Sequence, residues 1–226
     1  SKDETVYAVL EADGSIRSTT VSEHLYHAGG LSSVTDRTTL TDIVNTESDA
    51  EFTQNGESLV WNTSDTDVYY KGSTDKQLPL TAAVTYTLDG VEKPLEELLG
   101  QSGHLVVTVQ LTNQTAETLT VDGKERTIVT PFVTAVGVLL GQEATNVSAA
   151  HGLLESAAKS SVAAFVTLPG VREALDGLLP SGVSALEDYL QDTVTVEADV
   201  ENLTAPQILI ASAASAEALG QGDVFD

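Results

Sequence analysis

Three aromatic side chains, Trp61, Tyr69 and Tyr70, have the type and spacing needed to bind a carbohydrate. A flat ring stacks on the apolar face of a sugar, while the polar group at its edge is free to form a hydrogen bond. Such a binding platform requires all three rings to face solvent. Aromatic residues in strands more often pack in a core, so the sequence favours core positions and keeps carbohydrate binding as the alternative.

The four histidines are the other residues that could support chemistry. His24 and His27 lie three residues apart and could share one face of a helix, as a pair of metal ligands would. No third ligand stands at a recognisable spacing nearby, and Asp65-Thr66-Asp67 lacks the glycine and glutamate of a calcium-binding loop. The sequence therefore predicts no metal site and no cofactor.

Recognisable catalytic motifs are missing from the sequence. It contains no Gly-x-Ser-x-Gly, no His-Glu-x-x-His and no glycine-rich phosphate loop, and without cysteine it has no thiol nucleophile. The members of a catalytic triad need only meet in space, so a hydrolase of unknown type remains a second alternative. That alternative requires His24, His104 or His151 to contact a serine or a carboxylate inside a pocket. We expect the protein not to be an enzyme.

Strands are the elements that must position these side chains. In Gly103–Asn113, apolar residues occupy every second position, which predicts a half-buried strand. Residues 83–88 predict a strand that ends at the tight-turn pair Asp89-Gly90. Residues 94–99 have the length and spacing of one or two helical turns, ended by Gly100.

Four further segments carry predictions about local structure. Residues 22–27 predict a short helix, since Ser22 is a suitable N-cap. Asn55-Gly56, between two β-rich runs, predicts a hairpin. Residues 132–140 are almost entirely apolar and predict a buried strand. Residues 146–155 predict another hairpin.

These signals predict a mainly β fold of β-sandwich, immunoglobulin-like modules with a few short helices. Leu78-Pro79 is a natural break in the chain. We therefore expect a β-rich N-terminal module over residues 1–77 and an immunoglobulin-like β-sandwich module over residues 78–213. The second module should contain a short helical insert near residues 171–190, and residues 214–226 should form an acidic tail. At 226 residues the chain is long enough for two such modules to bury their own cores.

The charge of the chain restricts its partners. It has 34 acidic and 10 basic residues, which give a net charge of −24. Such a field repels nucleic acids and anionic lipid surfaces, so we expect neither to bind. No apolar run approaches the ~20 residues of a membrane span, so direct membrane insertion is not expected. Because the sequence begins at Ser1 without a methionine, we expect a signal peptide or a membrane anchor to lie outside it.

Several short phrases resemble one family of proteins. The phrases are Lys2-Asp3-Glu4-Thr5-Val6-Tyr7, Ala12-Asp13-Gly14, Leu40-Thr41-Asp42-Ile43, Leu78-Pro79, Tyr86-Thr87-Leu88-Asp89-Gly90, Glu97-Leu98-Leu99-Gly100-Gln101-Ser102-Gly103 and Leu168-Pro169-Gly170. Together they resemble the extracytoplasmic β-rich region of uncharacterised Gram-positive membrane-anchored proteins. The resemblance implies a signal peptide before this region, and a helical repeat stalk with a C-terminal transmembrane helix after it. Gly103–Asn113 separately resembles the strand signature of immunoglobulin-like bacterial surface modules. Neither resemblance implies catalytic residues.

The favoured prediction is a non-catalytic module of the cell envelope. It would be the extracellular ectodomain of a membrane-anchored surface protein and would bind a protein or a cell-wall polymer. A carbohydrate-binding module that uses Trp61, Tyr69 and Tyr70 is the first alternative, and the hydrolase is the second.

Overall fold

The structure is a computed structural model of the chain, and it describes residues 1–63, 66–121, 123–157, 159–175 and 187–214. The chain divides into two compact units. The first contains residues 1–11 and 16–77, and the second contains residues 12–15 and 78–226.

The first unit consists of two antiparallel sheets around one core. Its strands are β1 (Lys2–Leu10), β2 (Ile16–Leu25), β3 (Ser33–Arg37), β4 (Thr41–Asn45), β5 (Phe52–Asn55), β6 (Ser58–Asn62) and β7 (Val68–Ser73). They form a four-stranded sheet in the order β1-β2-β7-β4 and a three-stranded sheet in the order β3-β6-β5. Both sheets supply residues to the core, such as Val21 and Tyr70 from the first and Leu59 and Trp61 from the second.

The second unit has a larger core between a five-stranded and a four-stranded sheet. Its elements are β8 (Leu80–Leu88), β9 (Val91–Glu92), α1 (Leu95–Leu98), β10 (Gly103–Asn113), β11 (Glu117–Val121), β12 (Lys124–Ile128), β13 (Phe132–Gly141), β14 (Ala144–Ala149), β15 (Leu153–Ala157), β16 (Ser160–Thr167), α2 (Val171–Ala174), β17 (Thr193–Val200) and β18 (Gln207–Ala214). The sheet orders are β14-β17-β10-β8-β9 and β15-β16-β13-β18, while β11 and β12 pair with each other. Val107 and Val196 face Val136 and Phe165 across this core.

The predicted mainly β fold with a few short helices is confirmed, and strand β10 has the predicted bounds. Its residues Leu105, Val107, Val109 and Leu111 are buried, as the alternation requires. The turn at Asp89-Gly90 is present, with positive φ at both residues. The hairpin predicted at Asn55-Gly56 is also present, with Gly56 and Glu57 in the turn and positive φ at Gly56. Positive φ at such positions matches the right-handed twist of the paired strands.

Two local predictions are wrong. Residues 22–25 belong to strand β2, not to a helix, because Glu23 pairs with Glu4 on one side and with Tyr70 on the other. Residues 146–155 are not a hairpin. Strand β14 pairs with β17 and β15 pairs with β16, so the chain passes from one sheet to the other at His151, where φ is 61°.

The late part of the chain is described in part. Helix α2 covers the first turn of the predicted insert. The remainder of that insert over residues 176–186, and the predicted acidic tail from residue 215 onwards, lie outside the described residues.

Candidate functional site

Two of the three aromatic residues predicted for carbohydrate binding are part of the core. Trp61 and Tyr70 are fully buried, with ring centroids 5.3 Å apart, and Phe52 lies 4.7 Å from Trp61. Neighbouring residues on a strand point to opposite faces, so Tyr69 lies on the other side of the sheet from Tyr70. The exposed row of three rings that the carbohydrate-binding alternative requires does not form, because Trp61 and Tyr70 are buried.

Tyr69 belongs to a separate aromatic stack on the outer side of its sheet. The His24 ring lies parallel to Tyr69 at 4.1 Å and stacks on Tyr26 at 4.8 Å. The Nε2 atom of His24 is 3.2 Å from a carboxylate oxygen of Asp67. One face of the Tyr69 ring is therefore covered by His24.

His104 forms a second histidine–carboxylate pair, on strand β10 of the second unit. Its Nδ1 atom lies 3.0 Å from Asp199 on the neighbouring strand, and its Nε2 atom lies 3.7 Å from Glu197. The hydrogen bond to Asp199 raises the pKa of His104, although partial desolvation opposes the shift. Hydrogen bonds from Asn146 and from His104 lower the pKa of Asp199. The pair stabilises two adjacent strands on an exposed surface.

The contacts of the histidines meet the hydrolase alternative only in part. His24, His104 and His151 each contact a carboxylate, the last one Asp188 at 2.7 Å. Within the described residues, no histidine ring forms a hydrogen bond with a serine, and no group of histidines and carboxylates could hold a metal. An open polar cleft in the second unit contains no histidine. It is lined by Gln142, Glu143, Thr145, Glu201, Asn202 and Thr204.

The four-stranded sheet of the second unit carries the most unusual surface. On the side that faces the core, Val136, Val138 and Phe165 are buried. The opposite side is also apolar, and no other strand of the described chain pairs with this sheet. At one end of it the Glu143 carboxylate lies against Gly141. We call this side the outer apolar face. It consists of Leu153, Glu155 and Ala157 of β15, Ser160, Val162, Ala164 and Val166 of β16, Val133, Ala135, Gly137, Leu139 and Gly141 of β13, and Gln207, Leu209, Ala211 and Ala213 of β18.

Exposure and charge set this face apart from the rest of the surface. Leu153 is 76% exposed, Leu209 is 65% exposed and Val166 is 49% exposed. Glu155 is the one charged residue among the outward positions of these four strands, in a chain with 34 acidic side chains. Isolated apolar residues are common on protein surfaces, but a contiguous apolar patch marks a site of interaction.

Gly137 lies in the middle of the outer apolar face. A Cβ atom added there would meet no atom within 4 Å, so the position is open to solvent. In register with it, Ala164 lies on one neighbouring strand and Leu209 on the other, and Leu153 follows on the edge strand. A glycine inside a strand weakens it and often marks a close approach by another molecule. This row of four residues therefore has a leucine at each end and a depression over Gly137.

Sequence reasoning found strand β13 but not this site. The strand is confirmed, whereas the expectation of a buried strand holds for one of its faces only, because Ala135 is exposed on the other. A useful signal was present: an antiparallel strand with one solvated face should alternate apolar and polar residues, and residues 132–140 do not. Such a continuous apolar run is typical of a strand that is covered on both faces.

Comparison with known proteins adds no assignment. No protein-family model matches the chain, and no curated protein matches it. Among the described residues, none of the helices has the length and apolar character to cross a membrane. The outer apolar face is therefore the candidate functional site on the strength of its own geometry.

Proposed function

We propose that this chain is a non-catalytic module of the cell envelope and that it binds a protein partner through the outer apolar face. In this proposal the chain is the extracellular ectodomain of a surface protein, held by a membrane anchor outside the sequence. The resemblance to extracytoplasmic regions of Gram-positive proteins supports the location. An immunoglobulin-like relationship for the second module belongs to the same proposal.

The single observation that supports binding is the apolar character of a sheet face in so acidic a chain. Leaving Leu153 and Leu209 in water forgoes about 1.5–3 kcal/mol for each side chain relative to full burial. A partner that covers them gains this energy on binding. The remaining surface carries the charge that keeps the protein soluble.

The chemistry of the face favours a protein over a cell-wall glycan. A glycan requires hydrogen-bonding groups and open aromatic rings, and the outward positions here supply Glu155, Ser160 and Gln207 as the polar residues. The face also suits a second copy poorly. Two copies, each with a charge of −24, would repel each other.

Photo-crosslinking in the cells that produce the protein tests this proposal. A benzophenone amino acid replaces Val166 in the outer apolar face in one variant, and Val91 of strand β9 in another. The two positions are similarly exposed, at 49% and 55%. We expect a discrete adduct of higher mass from position 166 only, because the benzophenone reacts with groups held within a few ångströms.

A second substitution checks that the adduct depends on the face. Leu209→Asp, introduced together with the crosslinker at position 166, should remove the adduct. No adduct from position 166, or equal adducts from positions 166 and 91, would contradict the proposal. An adduct with twice the mass of the chain would identify a second copy as the occupant and would also contradict it.

A further inference from the structure

We infer that the outer apolar face receives an amphipathic α-helix, whose leucine-sized side chain fills the depression over Gly137 and whose flanks carry lysine or arginine. The inference rests on the proposed function, because it names the kind of element that a protein partner presents to this face.

The shape of the face excludes a flat partner. Leu153 and Leu209 stand on the two edge strands, three strand spacings or about 14 Å apart. Between them lie Ala164 and Gly137, the smallest side chains of the row. Another flat sheet would rest on the two leucines and leave a gap over Gly137, and such a gap loses packing energy.

A convex element fits this profile. An α-helix with its side chains is about 10–12 Å across, which is less than the distance between the two leucines. The helix can therefore pack against both leucines while one of its side chains reaches Gly137. Along the strands, Leu139 and Val162 close the depression on one side, about 7 Å from the Gly137 row. On the other side Ala135 and Ala211 continue its floor, so a helix that lies along the strands can place a leucine-sized side chain over Gly137.

The charge of the chain determines the flanks of the helix. Glu155 is the acidic residue at the outward positions of the face, none of which is basic, and the Glu143 carboxylate lies beside Gly141 at one end. The whole chain carries a net charge of −24, so a helix with acidic flanks is repelled and one with basic flanks is attracted. An apolar stripe between rows of lysine or arginine is therefore the complementary partner.

Fluorescence anisotropy with designed peptides tests the inference on the full chain. The first peptide is an 18-residue helix with a leucine stripe and lysine flanks. The other three differ from it by glutamate flanks, by alanine at the central leucine, or by a central proline that breaks the helix. We expect the lysine-flanked helix to bind and each of the other three to bind at least about tenfold more weakly. The alanine peptide loses one buried leucine contact, the glutamate flanks are repelled by the acidic chain, and the proline peptide does not form the helix.

Substitutions at Gly137 locate the binding. Gly137→Ala and Gly137→Val fill the depression in two steps, and a Cβ atom added at this position meets no atom within 4 Å. We expect the Kd for the lysine-flanked helix to rise with each step, by about tenfold or more for valine, while thermal stability does not fall. Thr85→Leu is the matched control, since it enlarges an exposed side chain on the other sheet of the same unit and should leave the Kd unchanged.

Each remaining outcome overturns the inference. No binding by the lysine-flanked helix would do so, as would equal binding by the glutamate-flanked helix or by the proline peptide. Binding that survives Gly137→Val would place the site elsewhere. Concentration-dependent dimers that Gly137→Val dissociates would identify a second copy as the occupant. If the helix fails to bind but position 166 still gives its cellular adduct, the helix inference falls and the proposed function stands.

Discussion

Glu23 is an acidic residue at a core position of strand β2, between the buried residues Val21 and Leu25. It is 2% exposed, and burial raises its pKa, although the ammonium group of Lys2 opposes the shift. Lys2 Nζ lies 3.0 Å from Glu23 and 2.9 Å from Asp36, and the Tyr70 hydroxyl donates a hydrogen bond to Asp36. The pair with Lys2 is what allows a carboxylate to remain at this position.

Removal of the Lys2 ammonium group should destabilise the fold, because the buried carboxylate of Glu23 then has no cation beside it. We expect Lys2→Met to lower the free energy of unfolding by about 1–3 kcal/mol at neutral pH, because one oxygen of Glu23 loses its partner and the other has none among the described residues. Urea unfolding followed by circular dichroism measures the change. The double variant Lys2→Met/Glu23→Gln should recover most of it, and the exposed Lys93→Met serves as control.

The pH dependence of the single variant has a defined sign. A raised carboxyl pKa means that the folded state binds the proton more tightly than the unfolded chain does. The loss of unfolding free energy caused by Lys2→Met should therefore become smaller as the pH falls through the folded-state pKa of Glu23 towards its usual value of 4.5. A deficit that stays constant between pH 7 and pH 4.5 would show that lost packing, and not the charge of Glu23, causes the instability.

His104 gives a second prediction at the residue scale. Its hydrogen bond with Asp199 raises its pKa above the usual 6.5. The contribution of this hydrogen bond to the stability of the fold is fully present below pH 6.5 and is lost as the pH rises through the folded-state pKa of His104. An NMR titration of the imidazole should show a pKa above 6.5 that falls in Asp199→Asn. The same pKa in both proteins would mean that this hydrogen bond does not form in solution.

At the scale of elements, turn residues and the alternation of apolar and polar residues predicted most strands. Predictions from local sequence were wrong where pairing with distant strands determines the structure. Strand Gly103–Asn113 follows from the side-chain period, and the hairpin predicted at Asn55-Gly56 follows from the φ preference of glycine. The Ser22 N-cap signal suggested a helix, but two neighbouring strands make residues 22–25 a central strand. Similarly, β14 and β15 are adjacent in sequence but pair in different sheets, and sheet pairing depends on distant strands.

The passage between those two sheets needs a small residue at Gly152. A Cβ atom there would lie 2.6 Å from the buried ring of Phe165, whereas one at Gly137 would meet nothing. We expect Gly152→Ala to destabilise the fold by about 1–3 kcal/mol through overpacking. Gly137→Ala is the matched control and should be neutral or slightly stabilising, because alanine is less costly than glycine in a strand. Thermal unfolding of both variants measures the difference, and equal loss in both would refute this account.

The candidate site escaped sequence reasoning for a physical reason. Tyr69 and Tyr70 are adjacent in sequence, and the alternation of a strand separates them, so their proximity to Trp61 in sequence did not indicate a shared surface. The outer apolar face instead collects small residues from four strands between residues 133 and 213. Only the register between those strands shows that Gly137, Ala164 and Leu209 lie side by side.

At the scale of the whole molecule, the segregation of apolar and charged surface predicts dye binding. A hydrophobic dye such as anilinonaphthalene sulfonate should bind the folded protein at the outer apolar face. The neutral polar substitutions Val166→Thr and Leu209→Gln together should abolish the dye fluorescence and change the unfolding free energy by about 0.5 kcal/mol or less for each exposed site. Unchanged fluorescence in the double variant would mean that the dye binds another surface.

Net charge gives the last prediction. With 34 acidic and 10 basic residues, the folded chain holds many like charges closer together than the unfolded chain does. Screening weakens this repulsion as the Debye length falls from about 30 Å at 0.01 M salt to about 10 Å at 0.1 M. The melting temperature should therefore rise as sodium chloride increases from 0.01 M to about 0.2 M, a range in which screening changes steeply. Potassium chloride should give the same rise, because screening depends on ionic strength and not on the identity of the cation. A fall would show that attractive pairs such as Lys2 with Glu23 outweigh the repulsion, and a rise with one salt only would indicate a specific cation site on the acidic surface.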